Sequence, residues 1–139
     1  MTAAQQNSGA SPAALLAQAQ QVLSAAPEAT SGNAARLAAV LARQSLEAEI
    51  DRRCLAAQIE LGQATMRSRL LVLRGLAARD PDHNTSHPAN TERVTAERLS
   101  LLWSQLSACC HHHAYELSPT VAEVRNLCTE LADLLTQQP

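Results

Sequence analysis

The chain of 139 residues has no lysine and no phenylalanine, a single tryptophan, a single tyrosine and only four glycines. With aromatic and β-branched residues this scarce, there is little from which to build a sheet, and an all-β or α/β fold is excluded on composition. No apolar run is long either: Leu70 to Leu73 is among the longest, far short of the ~20 residues needed to cross a bilayer. The first residues carry no basic stretch followed by an apolar segment, so no secretory signal is read and a cytoplasmic location is expected. Excess charge is also missing. The formal net charge is -2 and the pI about 6.2, which removes any global electrostatic case for nucleic acid or an anionic membrane and leaves only local basic patches. The four cysteines, at 54, 109, 110 and 128, are too few for a disulfide scaffold and lack the repeated close pairs of a zinc ribbon. They read as reduced, small core side chains.

What remains is the vocabulary of helices. Hydrophobic residues make up 46% of the chain, and Ala, Leu, Gln, Glu and Arg dominate, all good helix formers. The absence of lysine beside abundant alanine matches GC-rich codons and implies a high-GC bacterial source. The size suits one domain able to bury a core. Residues 1–10, small and polar without apolar period, read as a disordered leader to a single domain over residues 11–139.

Periodicity divides that domain into four or five helices. Ser11 and Pro12 form a start signal for a first helix with Leu15, Leu16, Ala19, Val22 and Leu23 inward, ended by Pro27 and Gly32. Asn33 is a candidate cap for a second helix to about Leu61. Leu37, Val40, Leu41, Ala48 and Leu55 lie on one side of it and Leu46, Ile50, Cys54, Ala57 and Leu61 on another, a surface wide enough to need several neighbours. Gly62 breaks the pattern before Met66, Leu70, Leu73 and Ala77 resume it. The proline-rich polar stretch from Arg79 to Asn90 reads as an exposed loop. A fourth helix follows with Leu99, Leu102, Leu106, Cys109 and His113 on one seam and Trp103, Cys110 and Leu117 beside it. The last, with Val121, Val124, Cys128, Leu131 and Leu135, is capped either by Ser118 or by a Thr120/Glu123 capping box. The expected fold is an all-α, compact four- to five-helix up-down bundle.

One stretch concentrates chemistry: Cys109, Cys110, His111, His112, His113, Tyr115 and Glu116. If helical, His113 stands one turn from both Cys109 and Cys110, and those three side chains become candidate ligands of a tetrahedral zinc. Such a site needs further ligands from Cys54, Cys128, His83 or His87. A nucleophilic cysteine beside a histidine is a second possibility, but cysteines on an apolar seam are usually inert and no turn here offers an oxyanion site. Trp103 and Tyr115, the two large aromatics, are expected to anchor the core.

The succession Arg43-Gln44-Ser45-Leu46-Glu47-Ala48-Glu49-Ile50-Asp51, a middle helix from Met66 to Leu76, then Leu106-Ser107-Ala108-Cys109-Cys110-His111 with Tyr115 and a closing amphipathic helix, resembles the HEPN superfamily of small helical proteins. Members that cleave RNA without a metal carry an arginine four to six residues before a histidine, one for phosphate charge and the other for protons. The resemblance therefore implies His111, His112, His113 and Tyr115 as the catalytic set of a ribonuclease. Here the arginine of that pattern is absent: none lies between Arg98 and His111, and a substitute would have to come from Arg67, Arg69 or Arg74 on the third helix. The reading this supports is a non-catalytic interaction or regulatory protein that homodimerises or binds a protein partner, in a defence or toxin-antitoxin setting as in that superfamily. Metal-independent ribonuclease and zinc-binding protein stand as its rivals, and no cofactor is expected.

Overall fold

The computed structural model describes residues 9–26, 31–60, 62–78, 88–111 and 118–137. They form five helices, α1 (Pro12–Ala25), α2 (Ser31–Ala56), α3 (Met66–Ala78), α4 (Pro88–Cys110) and α5 (Val121–Thr136), and no strand. Local chemistry explains most of the boundaries. Ser11 accepts the Ala14 amide at 3.2 Å ahead of Pro12 in the first helical position, so an orphan donor is satisfied where proline has none to lose. Thr65 does the same for α3 through the Ser68 amide at 3.2 Å. At α5 the choice between Ser118 and Thr120 goes to Thr120, whose hydroxyl accepts the Glu123 amide at 3.1 Å.

α2 ends differently from the expectation. It stops at Ala56, short of Leu61, because the Gln58 amide bonds the Leu55 carbonyl and the Ile59 amide bonds the Cys54 carbonyl, each at 3.0 Å. That pair of bonds is a Schellman closure. Gln58 takes the left-handed position with φ of 60°, a place glycine would normally fill. Ile59 then folds back onto the core, and burial of its side chain offsets the backbone cost. Gly62, at φ 45°, makes a second left-handed turn before α3. Two other expectations shift: Gly32 and Asn33 lie inside α2, and α4 begins at Pro88, within the stretch read as loop.

α2 is the hub, packing on all four other helices. Its inward face carries Ala35, Ala38, Ala39 and Ala42, all fully buried, then Leu46, Ile50 and Cys54. Four alanines remove side-chain bulk, so neighbouring axes can approach toward the ~8 Å lower limit of helix packing. α1 meets this segment with Leu16, Ala19 and Leu23, and the buried Ser45 hydroxyl donates to the Pro12 carbonyl at 2.6 Å. Farther along, Leu99, Leu102 and Leu106 of α4 and Val124, Cys128, Leu131 and Leu134 of α5 complete one core.

Polar contacts fix the helix directions. The start of α1 meets the middle of α2 at Ser45, Glu47 of α2 meets Trp103 of α4, and Arg36, near the α2 start, donates to Ser118 just before α5. At the other end, the buried Glu49 accepts from Arg52 and Arg53, and Arg53 donates to the Leu134 and Gln137 carbonyls at the end of α5, each at 3.1 Å. Thus α1, α2, α4 and α5 alternate up and down around the core. α3 stands outside that alternation. It packs on α4 and on the end of α2, held by Arg69 donating to Asp51 at 2.6 Å, and among its described side chains buries only Leu70 fully while Met66 and Leu73 are half-buried.

The wide apolar surface read on α2 is not all covered. Leu46, Ile50 and Cys54 are buried, whereas Leu37, Val40 and Leu55 are exposed. Neither flank is uniform: Leu41 packs on the core and Ala48 is half-buried on the first, while Ala57 is exposed on the second and Leu61 lies outside the described residues.

Candidate functional site

Cys109, Cys110 and His111 sit at the end of the bundle where α4 closes. α4 terminates at Cys110 and His111 is already non-helical and exposed. The one-turn spacing that would set His113 over Cys109 and Cys110 requires the helix to run on past Cys110, and His111 is the last described residue of this stretch. His112, His113 and Tyr115 lie outside the described residues, as do His83, His87 and Glu116. Consecutive helical positions point about 100° apart, and Cys109 and Cys110 diverge accordingly. Cys109 feels the charge of Glu123 on α5, and Cys110 feels Arg43 and Glu47 on α2.

The thiols are not activated. Burial pushes both up; the Glu123 charge adds to this at Cys109, and at Cys110 a hydrogen bond and the charge of Arg43 only partly reverse it. Cys128, inside α5, is pushed up by burial to about 11. A thiol raised in this way is a poor nucleophile and a reluctant ligand at neutral pH. Cys54 stands near Asp51 and Arg69, about 16 Å of helical rise along α2 from Arg43, so it does not join Cys110. Among the described residues no three His, Cys, Asp or Glu side chains cluster as a metal site would require. All four cysteines are free thiols.

Arginines do reach this end of the bundle, but not those named from the sequence. Arg69 is committed to Asp51 beside the other end of α2, and Arg67 and Arg74 are exposed on α3. Arg43 of α2 is the one that bonds the α4 terminus, at Cys110, while Arg36 donates to Ser118 ahead of α5 at 2.9 Å. Arg43 bonds Glu47 at 3.0 Å and lies 5.5 Å from the centroid of the Trp103 ring, while the indole nitrogen donates to the same Glu47 carboxylate at 3.2 Å. This triad of cation, carboxylate and indole closes on itself: the guanidinium has its counter-ion and its aromatic face, and the half-buried indole has its acceptor. Its first half, Arg43 and Glu47 four apart on one helix, is readable as a sequence pair. Trp103 as the third member is not.

A second region stands out by exposure. Leu71, Val72 and Leu76 of α3 are 60%, 43% and 44% exposed, and Leu101 of α4 is 60% exposed, with Val94 two turns before it also open. Their signal was present in the sequence: with Leu70, Leu73 and Ala77 turned inward, a 3.6-residue period carries Leu71 and Val72 to the outside. Arg67 and Arg74 flank them, and neither has an ion-pair partner among the described residues. The helix contains no carboxylate. In α3 exposed aliphatic side chains and arginines without an ion-pair partner among the described residues thus lie side by side on one short helix.

No helix among the described residues is long and apolar enough to cross a membrane. Compared with protein-family models, with curated proteins and with solved structures, the chain matches none. The HEPN resemblance gains no support from these comparisons.

Proposed function

We propose that this chain is a non-catalytic helical interaction protein, and that the outer surface of α3, with the adjoining stripe of α4, is where it engages another polypeptide. The observation that carries this reading is the exposure of Leu71, Val72, Leu76 and Leu101 on a bundle whose core is otherwise filled by leucine and alanine. Scattered single aliphatics on a surface need no account, but several on one short helix that buries a single leucine do. The chemistry-bearing end of the molecule speaks the same way. Its described thiols are raised rather than lowered, and its arginine is already paired.

The test is site-specific photo-crosslinking in cells of the source organism, with the photoreactive residue at Leu71 and, as control, at Asn126 on the exposed polar face of α5. A discrete adduct at 71 and none at 126 is expected, and its mass distinguishes a second copy from a foreign chain. Absence of an adduct at 71, or equal labelling at both positions, overturns the reading.

One observation favours a second reading. Arg43 bonds Cys110 at the end of α4 that leads into His111, and Arg36 bonds Ser118 ahead of α5, so this reading takes its cations from α2 in place of the arginine that the interrupted arginine-histidine pattern lacks. A ribonuclease of this kind would cut RNA in the presence of chelator and lose activity on Arg36→Ala or on alanine replacement of His111, His112 and His113. RNA left intact by the unmodified protein removes it.

A further inference from the structure

The outer face of α3 has a definite shape. Ser68, Leu71, Val72 and Gly75 occupy positions i, i+3, i+4 and i+7, the four corners of the hole into which a side chain of an adjacent helix inserts in knobs-into-holes packing. The two flanking corners are aliphatic and exposed, and the two end corners are small. Nothing within this fold requires the glycine: a Cβ built at Gly75 meets no atom within 4 Å, and a glycine in a helix interior is less favourable than alanine. Its lack of a side chain deepens the hole without serving any contact inside the chain.

Charge selects the occupant. Arg67 and Arg74 precede Ser68 and Gly75 by one residue each, so both guanidiniums lie along the same edge of the seam, seven residues apart. Both are exposed and neither has an ion-pair partner among the described residues, whereas Arg69, on the opposite edge, is neutralised by Asp51. We infer that the outer seam of α3 docks an amphipathic helix of a partner protein, aliphatic at its contact positions and acidic along the flank that meets Arg67 and Arg74. This rests on the interaction reading above and names the partner class for the same surface. A second copy of the chain is disfavoured at this seam, because the facing α3 would bring arginines and no carboxylate. An anionic bilayer is disfavoured as well. The helix has no aromatic anchor, and its arginines border one edge of the apolar strip rather than ringing it, as an in-plane membrane helix would require.

The test uses the full chain and a fluorescent synthetic coiled-coil peptide with leucine at its a and d positions and glutamate at every e and g. A second peptide, identical but with lysine at e and g, is the comparison, and both are read by anisotropy at low and high salt. Binding of the glutamate peptide is expected to be at least about tenfold tighter than that of the lysine peptide, with the difference shrinking as salt rises. Arg67→Glu combined with Arg74→Glu should reverse the ranking. Gly75→Leu fills the hole while favouring helix, so the fold, followed by circular dichroism, is kept and affinity falls at least about tenfold. Equal binding of the two peptides, a ranking that survives the charge reversal, or binding of neither peptide overturns the inference. So does retention on phosphatidylserine vesicles without peptide binding. If both peptides bind alike and Leu71→Gln abolishes both, the acidic partner is wrong and the interaction surface stands; failure of crosslinking at position 71 removes the surface itself.

Discussion

Glu49 provides the sharpest test of how the bundle is held together. Its side chain is only 4% exposed, yet it is charged, and its two carboxylate oxygens take hydrogen bonds from Arg52 and Arg53 at 2.7 to 2.9 Å. Arg53, 13% exposed, passes the connection on to the last carbonyls of α5. Glu49→Ala leaves that guanidinium half-buried with its carbonyl partners but without its counter-charge. Removing one partner of a fully buried pair costs about 3 to 5 kcal/mol. Arg52 is 45% exposed and can return to water, so the expected loss here is smaller, about 2 to 3 kcal/mol. For a chain of this size that is a fall in Tm of roughly 8 to 12 °C. The assay is urea unfolding, comparing Glu49→Ala and Glu49→Gln with the parent across pH. Burial raises the Glu49 pKa, but the hydrogen bonds and charges of the two arginines outweigh it and hold the carboxyl below its ordinary value. A depressed folded-state pKa means the stabilisation is fully present above the unfolded value near ~4.3 and is lost as pH falls through the folded value. The gap between parent and Glu49→Gln should accordingly be constant from neutral pH to about 5 and close below about 4. A Glu49→Ala loss under about 0.5 kcal/mol, or a gap that widens on acidification, would refute the reasoning.

Three other outcomes are expected. Gln58→Gly should stabilise the fold by about 0.5 to 1 kcal/mol in thermal unfolding, because it relieves a left-handed non-glycine residue and keeps both closing hydrogen bonds; destabilisation would mean the Gln58 side chain makes a contact of its own. Trp103→Phe removes the indole donor to Glu47 and weakens the stacking with Arg43, at a cost of about 1 to 2 kcal/mol. Its tryptophan-free spectrum requires circular dichroism as the readout, and a near-neutral result would show that the triad is incidental. Iodoacetamide at pH 8 should label Cys109 and Cys110, which are half-buried, well before Cys54 and Cys128, which are fully buried, and peptide mass mapping in which Cys128 reacted first would contradict its raised pKa of about 11.

Much of the fold was legible because helix signals are local. The Ser11-Pro12 start, the apolar stripes of α1 and α5, and the inward set Met66, Leu70, Leu73 and Ala77 depend on spacing and capping within one or two turns. The candidate site was legible only as a concentration of residue types. Where α4 stops, which arginines approach it and whether its thiols are perturbed all depend on residues far away in the chain. Arg67, Arg69 and Arg74 looked available for the histidines because nothing in the sequence places α3 beside the opposite end of α2.

The sequence by itself therefore determined the secondary-structure class, the number of helices to within one and the identity of much of the core, since these follow from periodicity and propensity. Tertiary structure decided which apolar positions of α2 are covered, burying Leu46, Ile50 and Cys54 and leaving Leu37, Val40 and Leu55 open, because coverage depends on how many neighbours the connections can deliver. It also closed α2, just past Ala56, with a left-handed glutamine, where burial of Ile59 offsets a backbone conformation that local preference disfavours. By the same logic it turned Leu71 and Val72 outward beside two arginines that have no ion-pair partner among the described residues: helix periodicity requires some face of α3 to point away from the bundle, and packing on α2 and α4 selects which one.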